Sequence, residues 1–405
     1  MRSHFKPSYA RIWGILITLL VVFLFIYSRP QTVIITHPLT LLDVAGCPVT
    51  GSDFMHRCCP NPDRTVDFVN FNLMSAPSFS TILRHHPNVC GGSWKPTTCH
   101  ALQNIAVLIP YRNRELHLRI LLHRLHSMLQ FQQVAYSIYV IEQTGDTEFN
   151  RGLLMNIGIR ESLRQDPSID CFVFHDVDML PENSDNLYMC DTNLRHLSAG
   201  IDEFRFHVPF ANYAGGVTAL SKANALKING FPNRYWGWGN EDDELAARAF
   251  LHGLKLSRPP GHIGRYHTVR HVKASRGSGH YGSFRGFRGY QNDGLSSLTD
   301  SSYTVLEDDS LTNRSRDVAL PFELNQCALK RISDRLGVNI LPSRRHSALT
   351  STLTAVERLS IDKLARILLY THIKVNVSAI HATAAKPAIE TQESLLWFLR
   401  FYGWL

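Results

Sequence analysis

One part of the chain alternates short apolar runs with longer segments in which leucines recur at helical spacing. Residues 105–110, 136–142 and 171–175 are apolar runs typical of buried strands. Residues 114–131 and 150–163, which separate them, have the spacing of helices that cover one face of a sheet. This alternation predicts an α/β sandwich with a largely parallel sheet. Ligands bind such sheets beyond the carboxyl ends of the strands, so we expect a site there.

Polar motifs follow two of these predicted strands. Asp176-Val177-Asp178 comes directly after the third run, and Tyr111-Arg112-Asn113-Arg114 follows the first. Two carboxylates at a strand end can hold a hard divalent cation that bridges two phosphates. Arginine forks suit phosphates or uracil carbonyls. Each motif also has a plain interpretation, as turn aspartates or as a helix cap with solvated cations.

Two further segments carry residues typical of a ligand cleft. In residues 236–244 (WGWGNEDDE), two indoles separated by glycine precede four consecutive carboxylates. Indoles stack on sugar rings, and a carboxylate can take a hydroxyl proton. The same run is also typical of an acidic helix start, because Asp and Glu favour the first helical turn. Gly215-Gly216 permits close approach of a ligand, although a plain turn is the commoner explanation.

The N-terminal region predicts a membrane anchor. Residues 12–27 form an apolar run without a charge, with Arg2, Lys6 and Arg11 before it and Arg29 close behind. This charge bias predicts a cytosolic N-terminus and a lumenal remainder. A cleaved signal peptide is the alternative, but no small-residue cleavage site follows the run. The lumen is oxidising, so disulfides are plausible among the eight cysteines.

The composition excludes little beyond this. The apolar fraction of 44% is enough for a sizeable core. The net charge of +8 does not predict nucleic-acid binding, because the basic residues are scattered and no reader motif occurs. A preference for an anionic membrane surface or a phosphate-bearing substrate is our interpretation. Sequons for glycosylation occur at Asn313 and Asn376.

Taken together, these segments resemble the β-1,4-galactosyltransferase family of Golgi enzymes. The resemblance implies a GT-A nucleotide-sugar-binding fold, with three layers and a mixed, mostly parallel sheet. It implies inverting transfer of galactose from UDP-galactose, with Mn²⁺, to terminal N-acetylglucosamine on a glycoprotein or glycolipid. Transfer of N-acetylgalactosamine, transfer of galactose to xylose, and a non-catalytic sugar-binding relative remain open. The matching runs are 109–114, 139–152, 171–190, 195–204, 213–222, 228–244, 257–259, 270–271 and 292–298.

The resemblance also implies roles for single residues. Asp242 is the expected base, with Glu241 beside it, and Asp178 and His271 are the expected metal ligands. Tyr213 is expected to restrict the donor pocket to galactose. Asp242 also belongs to the expected acceptor-binding set, with Asp243 and Asn240. The expected donor- and nucleotide-binding residues are Pro110, Arg112, Arg114, Phe149, Arg151, Asp176, Val177, Gly216, Trp238 and Glu241.

The same resemblance implies two disulfides and exposes three departures from the family pattern. Cys171 pairs with Cys190, and Cys99 pairs with Cys58 or Cys59. Thr268 stands where several members supply a methionine to the metal, Glu203 replaces a lysine near the donor phosphates, and Asn240 replaces a glycine.

We therefore expect a single-pass type II Golgi membrane protein with a lumenal catalytic domain. The predicted divisions are a cytosolic tail (1–11), a signal anchor (12–27), a stem with an N-terminal extension (28–98), a catalytic domain (99–300), an insertion or disordered loop (301–365), a closing strand (366–378) and a C-terminal tail (379–405).

Overall fold

A computed structural model of the chain describes residues 76–271, 289–306, 330 and 361–378. Among the helices in these ranges, none is long and apolar enough to cross a membrane. The sequence predictions that lie outside the described residues are those on 1–75, which include the tail, the anchor, most of the stem, Cys58 and Cys59. Those on most of 301–365, which include Asn313, and on 379–405 also lie outside them.

The described residues form twelve strands in two sheets. The strands are β1 (Ser93–Trp94), β2 (Asn104–Tyr111), β3 (Ala135–Gln143), β4 (Cys171–His175), β5 (Met179–Pro181), β6 (Leu194–His196), β7 (Gly200–Ile201), β8 (Val217–Ser221), β9 (Leu256–Ser257), β10 (Arg265–Thr268), β11 (Thr304–Leu306) and β12 (Thr371–Asn376).

The larger sheet is mixed, with a parallel centre. Its order is β11-β12-β3-β2-β4-β8-β6-β9, and β1 pairs with β3 from off this path. Strands β12, β3, β2 and β4 run parallel to one another, whereas β8 is antiparallel to β4. The smaller sheet has the order β5-β10-β7. Because β2, β3 and β4 are parallel, the segments that follow them meet at one edge.

Helices cover both faces of the larger sheet. Along β2, Ile105, Val107 and Ile109 enter one core cluster, whereas Ala106 and Leu108 enter the other. This alternation on a strand buried on both faces explains the unbroken apolar run in the sequence. The predicted mixed α/β architecture is confirmed. The helices are α1 (Phe79–His85), α2 (Glu115–Phe131), α3 (Arg151–Gln165), α4 (Lys222–Lys227), α5 (Glu241–Leu251) and α6 (Ile361–Leu369).

The structure differs from the sequence prediction at three boundaries. Helix α1 buries Phe79 in the core, so part of the predicted stem packs on the domain. Strand β11 lies inside the predicted insertion and pairs with β12. Strand β12 begins at Thr371, because Leu368 and Leu369 complete α6 instead of extending the strand. A continuous apolar run does not reveal where a helix ends and a strand begins.

One of the two predicted disulfides can be compared with the structure directly. Cys171 and Cys190 are bonded, with an S–S distance of 2.01 Å, as predicted. Cys99 is also disulfide-bonded, and so is Cys90.

Candidate active site

The predicted site residues after β2, β3 and β4 meet at one edge of the sheet. The Arg112 guanidinium lies 5.2 Å from the centre of the Phe149 ring and donates to the Thr147 carbonyl at 2.7 Å. The Arg151 Nε donates to Asp176 Oδ1 at 2.6 Å. The carboxyl ends of three parallel strands therefore form one polar wall, as the topology requires.

Arg151 is the central cation of this wall. It opens α3, and the Asn150 side chain caps the helix by accepting a hydrogen bond from the Leu153 amide. Besides Asp176, it reaches Glu241 Oε1 at 3.4 Å. Burial disfavours its charge, but the carboxylates of Asp176, Glu241 and Asp242 outweigh that effect and raise the pKa of Arg151.

The segment before α5 is shaped by left-handed backbone. Gly237 and Gly239 have φ values of 82° and 107°, and Asn240 has φ 76°. Asparagine is among the few residues that adopt this region readily, so Asn240 preserves the backbone that a glycine would allow. The Gly237 amide donates to the Phe149 carbonyl at 2.8 Å and ties this segment to the polar wall. Of the two indoles, Trp236 belongs to the core, whereas Trp238 is 59% exposed.

The four consecutive carboxylates form the first turn of α5 and have different partners. Glu244 is fully buried and accepts from Arg248 Nη2 and from the Tyr235 hydroxyl, each at 2.8 Å. Arg234 also binds it. The acidic run is therefore both a helix start and a set of site residues. Within it, Glu244 stabilises the fold and does not face the site. The Glu244–Arg248 spacing of four residues was the sequence signal for this pair.

Asp242 lies next to Tyr213 across a glycine. A Cβ placed on Gly215 would lie 2.3 Å from Asp242 Oδ2 and 2.5 Å from the Tyr213 hydroxyl. Burial raises the pKa of Asp242, while Arg151 acts to lower it. Burial also raises the pKa of Tyr213 well above its ordinary value, and Asp242 adds to that rise. Gly215 is thus the position that lets the two side chains approach each other.

Glu241 is the second buried carboxylate of the site. Burial and the neighbouring Asp242 raise its pKa to about 7, and Arg151 opposes them. Within the described part of the chain, its Oε2 has no hydrogen-bond partner. A buried carboxylate oxygen in this condition is suited to a ligand hydroxyl, because an unpaired buried acceptor is costly.

Asp178 and His271 come together as a candidate metal site. His271 Nδ1 lies 3.3 Å from Asp178 Oδ2, and the Val269 amide donates to the Asp178 carbonyl at 2.8 Å. Burial and Asp176 raise the pKa of Asp178 to about 6, with His271 acting in the opposite direction. A carboxylate and an imidazole suit Mn²⁺ chemically. Among the described residues, no group of three or more His, Cys, Asp or Glu could hold a metal ion.

Thr268 does not extend this pair. Its hydroxyl donates to the Met179 sulfur at 3.9 Å, and its amide donates to Asp202 Oδ1 at 3.0 Å.

Glu203 is the other departure from the family pattern near the predicted donor phosphates. It is exposed in a short 3-10 helix, and Arg205 ends that helix in left-handed conformation.

The remaining predicted residues are spread around this centre. Pro110 pairs with Ile141 inside the sheet, and Arg114 precedes α2. Val177 and Asp243 are largely buried. Gly216 has φ 82°, and a Cβ there would lie 2.9 Å from Ser198 Oγ, so it is a tight left-handed turn.

A buried polar chain beneath the site was missed by the sequence analysis. The Asp176 carbonyl is 2.9 Å from His175 Nδ1, and His175 Nε2 is 2.9 Å from the Tyr188 hydroxyl. Tyr188 in turn lies 2.9 Å from the Tyr266 hydroxyl on β10. The chain links the turn that carries Asp178 to the strand that leads to His271. Tyr188 lies 13 residues from His175, and Tyr266 lies 78 residues from Tyr188, so no regular spacing predicts these contacts.

Comparisons with known proteins find similar sequences over this part of the chain. The profile described as the N-terminal region of glycosyl transferase group 7 matches residues 58–191. The profile described as the N-terminal domain of galactosyltransferase matches residues 195–272. Among solved structures, the chain is similar to a Drosophila β-1,4-galactosyltransferase 7 variant that was solved in complex with manganese, UDP-Gal and xylobiose. The two are 26% identical over 51% of this chain and 87% of that chain, with a TM-score of 0.40.

Curated relatives match over much of the chain. β-1,4-Galactosyltransferase 3 of Cricetulus griseus is 44% identical over 61% of this chain, and the match spans 63% of that relative's length. β-1,4-Galactosyltransferase 3 of Homo sapiens is 48% identical over 50% of this chain and 52% of its own length. β-1,4-Galactosyltransferase 2 of Cricetulus griseus is 42% identical over 66% of this chain and 74% of its own length. The chain belongs to the β-1,4-galactosyltransferase family.

Proposed function

We propose that this chain transfers galactose from UDP-galactose, with inversion, to a hydroxyl of an acceptor sugar, forming a β-1,4 linkage on a GT-A fold. One observation carries the proposal. Asp242 lies beside Tyr213 over Gly215, next to the ion-paired group of Arg151, Asp176 and Glu241. Family membership supports the same reaction class.

Asp242 is the proposed base. Its burial favours the protonated form and so raises its proton affinity toward that needed for a base at neutral pH. In a single displacement, the acceptor oxygen forms a bond to the anomeric carbon as the bond from that carbon to UDP breaks. The acceptor proton passes to the Asp242 carboxylate, and UDP leaves with the electron pair.

The donor sugar is the proposed ligand of the carboxylates around Arg151. Arg151 orients Asp176 and Glu241 through two ion pairs, which holds their free oxygens in fixed directions. Glu241 Oε2, without a partner in the described residues, is suited to bind a sugar hydroxyl. Arg112 and Phe149 are the proposed contacts of the uridine, since a planar cation over an aromatic ring makes a flat wall.

Asp178 and His271 are the residues that would hold Mn²⁺. When bound, the ion would neutralise the charge that develops on the departing diphosphate. The Tyr188–Tyr266 contact helps to keep the two segments that carry these ligands in register. Because the Thr268 hydroxyl is directed to Met179, we propose that Thr268 does not take part in binding the ion.

The acceptor is proposed to be a terminal N-acetylglucosamine of a glycoprotein or glycolipid. Trp238 offers an exposed indole for stacking on a sugar ring, and Asp242 and Asp243 follow it in the first turn of α5. Asn240 keeps the loop before α5 in left-handed backbone. Residues 12–27 are proposed to anchor the chain as a single-pass type II protein of the Golgi membrane.

The test uses the full-length chain with UDP-galactose, Mn²⁺ and an array of acceptors that end in N-acetylglucosamine, glucose or xylose. We expect UDP release and a new β-1,4 linkage on N-acetylglucosamine, assigned by NMR. Asp242→Asn should reduce kcat about a thousandfold, within the range of general-base effects. Asp185→Asn, at an exposed carboxylate that we assign no role in the reaction, is the matched control. No turnover on any acceptor, or full activity of the Asp242 variant, would refute the proposal.

A further inference from the structure

The backbone that carries Tyr213 is held at three consecutive carbonyls by side chains. The Arg258 Nη2 donates to the Tyr213 carbonyl at 2.6 Å, and the Thr218 hydroxyl donates to the Ala214 carbonyl at 2.6 Å. The Gly215 carbonyl lies 2.8 Å from His196 Nε2. Such complete side-chain satisfaction leaves this short loop little freedom to shift.

Arg258 fixes the tautomer of His196. Its Nε donates to His196 Nδ1 at 2.9 Å. Since a guanidinium can only donate, Nδ1 must be the lone-pair nitrogen, and the ring proton is on Nε2, which lies 2.8 Å from the Gly215 carbonyl and 2.9 Å from Ser198 Oγ. Burial and Arg258 lower the pKa of His196 to about 3, so the ring is neutral at physiological pH.

Arg258 is a half-buried cation. Burial lowers its pKa to about 10, which still leaves it charged near neutrality. Within the described ranges, no carboxylate forms an ion pair with Arg258, and its guanidinium donates to His196 and to the Tyr213 carbonyl. A charge withdrawn from water is costly unless it is well bonded, so these two hydrogen bonds indicate that Arg258 serves to hold the loop of Tyr213.

The ring of Tyr213 is held as firmly as its backbone. The His196 ring meets it edge-on, with centroids 5.6 Å apart and an interplanar angle of 81°. Phe210 packs in the same manner at 5.5 Å. Edge-to-face contacts of this kind favour one ring orientation. In that orientation the hydroxyl lies beside Asp242 over Gly215.

We propose that His196 and Arg258 are positioning residues that set donor selectivity. They clamp the loop of Tyr213 so that its ring bounds the donor-sugar pocket and leaves no room for a 2-acetamido group. The inference rests on the proposed function, because it assigns the pocket beside Asp242 to the donor sugar. It assigns donor selectivity to His196 and Arg258, which hold Tyr213, as well as to Tyr213 itself.

The test compares kcat/KM for UDP-galactose and UDP-N-acetylgalactosamine in the full-length chain, with Mn²⁺ and an N-acetylglucosamine acceptor. Arg258→Lys keeps the charge but replaces the planar fork, whose Nε and Nη2 serve the two partners, by a single nitrogen. His196→Leu removes both ring nitrogens. We expect each to raise the ratio for N-acetylgalactosamine over galactose about tenfold, the effect of losing roughly one hydrogen bond. His196→Gln, which retains one acceptor and one donor, should return the ratio toward that of the unaltered chain.

Arg195→Lys is the matched control. Arg195 is buried on β6, next to His196. Burial lowers its pKa to about 10, as it does for Arg258, but Arg195 donates to the Met189 carbonyl and not to the loop of Tyr213. It should lower the melting temperature without changing the donor ratio. If His196→Leu does not fold, Arg258→Lys decides the question. An unchanged ratio in the folded variants overturns this inference alone, whereas no galactose transfer by the unaltered chain overturns the proposed function and the inference with it.

Discussion

Gly215→Ala adds one methyl group at the point where the proposed base and Tyr213 come together. The new Cβ would lie 2.3 Å from Asp242 Oδ2 and 2.5 Å from the Tyr213 hydroxyl. Both distances are about 1 Å shorter than ordinary carbon–oxygen contacts, so at least one side chain must move by about that amount. The backbone of Gly215 is outside the left-handed region, so the effect is purely steric.

A misplacement of about 1 Å at a reacting group can cost about a hundredfold in rate. We therefore expect kcat/KM for galactose transfer to fall about a hundredfold, which corresponds to about 2.7 kcal/mol of transition-state stabilisation. The assay is UDP release by the full-length chain at subsaturating UDP-galactose, with the melting temperature measured in parallel.

Gly261→Ala is the control for this change. A Cβ on Gly261 meets nothing within 4 Å, and its backbone is likewise outside the left-handed region. It should be as active as the unaltered chain. If Gly215→Ala kept activity within about threefold while remaining folded, Asp242 and Tyr213 would not be the pair that shapes the reacting centre.

Three further predictions follow from the same structure. Asp178→Asn should weaken Mn²⁺ binding about tenfold or more. The affinity is measured by EPR titration of free Mn²⁺, and an unchanged affinity would show that Asp178 is not a metal ligand. Burial lowers the pKa of His86 to about 4 and of His126 to about 3, so both bind protons less readily folded than unfolded, where the pKa is about 6.5. Their contribution to the free energy of unfolding is therefore complete above pH 6.5 and should decline as the pH falls toward 4. At pH 5 the loss should be roughly 1–2 kcal/mol for each histidine. Calorimetry that found equal stability at pH 7 and pH 5 would contradict this. Glu244→Ala should destabilise the fold by about 3–5 kcal/mol, because it removes the carboxylate that accepts two hydrogen bonds from the buried Arg248 and leaves only Asp293 at 3.7 Å. A melting temperature near that of the unaltered chain would argue against that pairing.

The sequence predicted the central strands well because both of their faces are buried. The runs around Val107 and Val173 are apolar without interruption, and the run around Ile138 is interrupted only by Ser137. This is the pattern of a strand covered by helices on two sides. Strands β5, β7 and β10 were not predicted, since each has only two to four residues and no period can be recognised in so few.

The site was predicted as a set of residues but not as an arrangement. Asp176, Asp178 and Asp242 could be proposed because they stand in recognisable runs. That Arg258 supports the Tyr213 loop from 45 residues along the chain, and that His196 lies against the Tyr213 ring, depends on contacts between distant segments. A single sequence carries no periodicity for such contacts, and they become visible only once the sheet has brought the segments together.

The disulfide between Cys171 and Cys190 has a consequence for where this protein can mature. The two cysteines are 19 positions apart, and the turn that carries Asp176 and Asp178 lies between them. The candidate metal turn is therefore enclosed in a covalent ring that closes only under oxidising conditions. We expect reductant to release this ring while the parallel centre of the sheet persists, so that metal affinity is lost at lower reductant than folded structure. Competence for catalysis would then depend on the redox state of the compartment in which the chain folds.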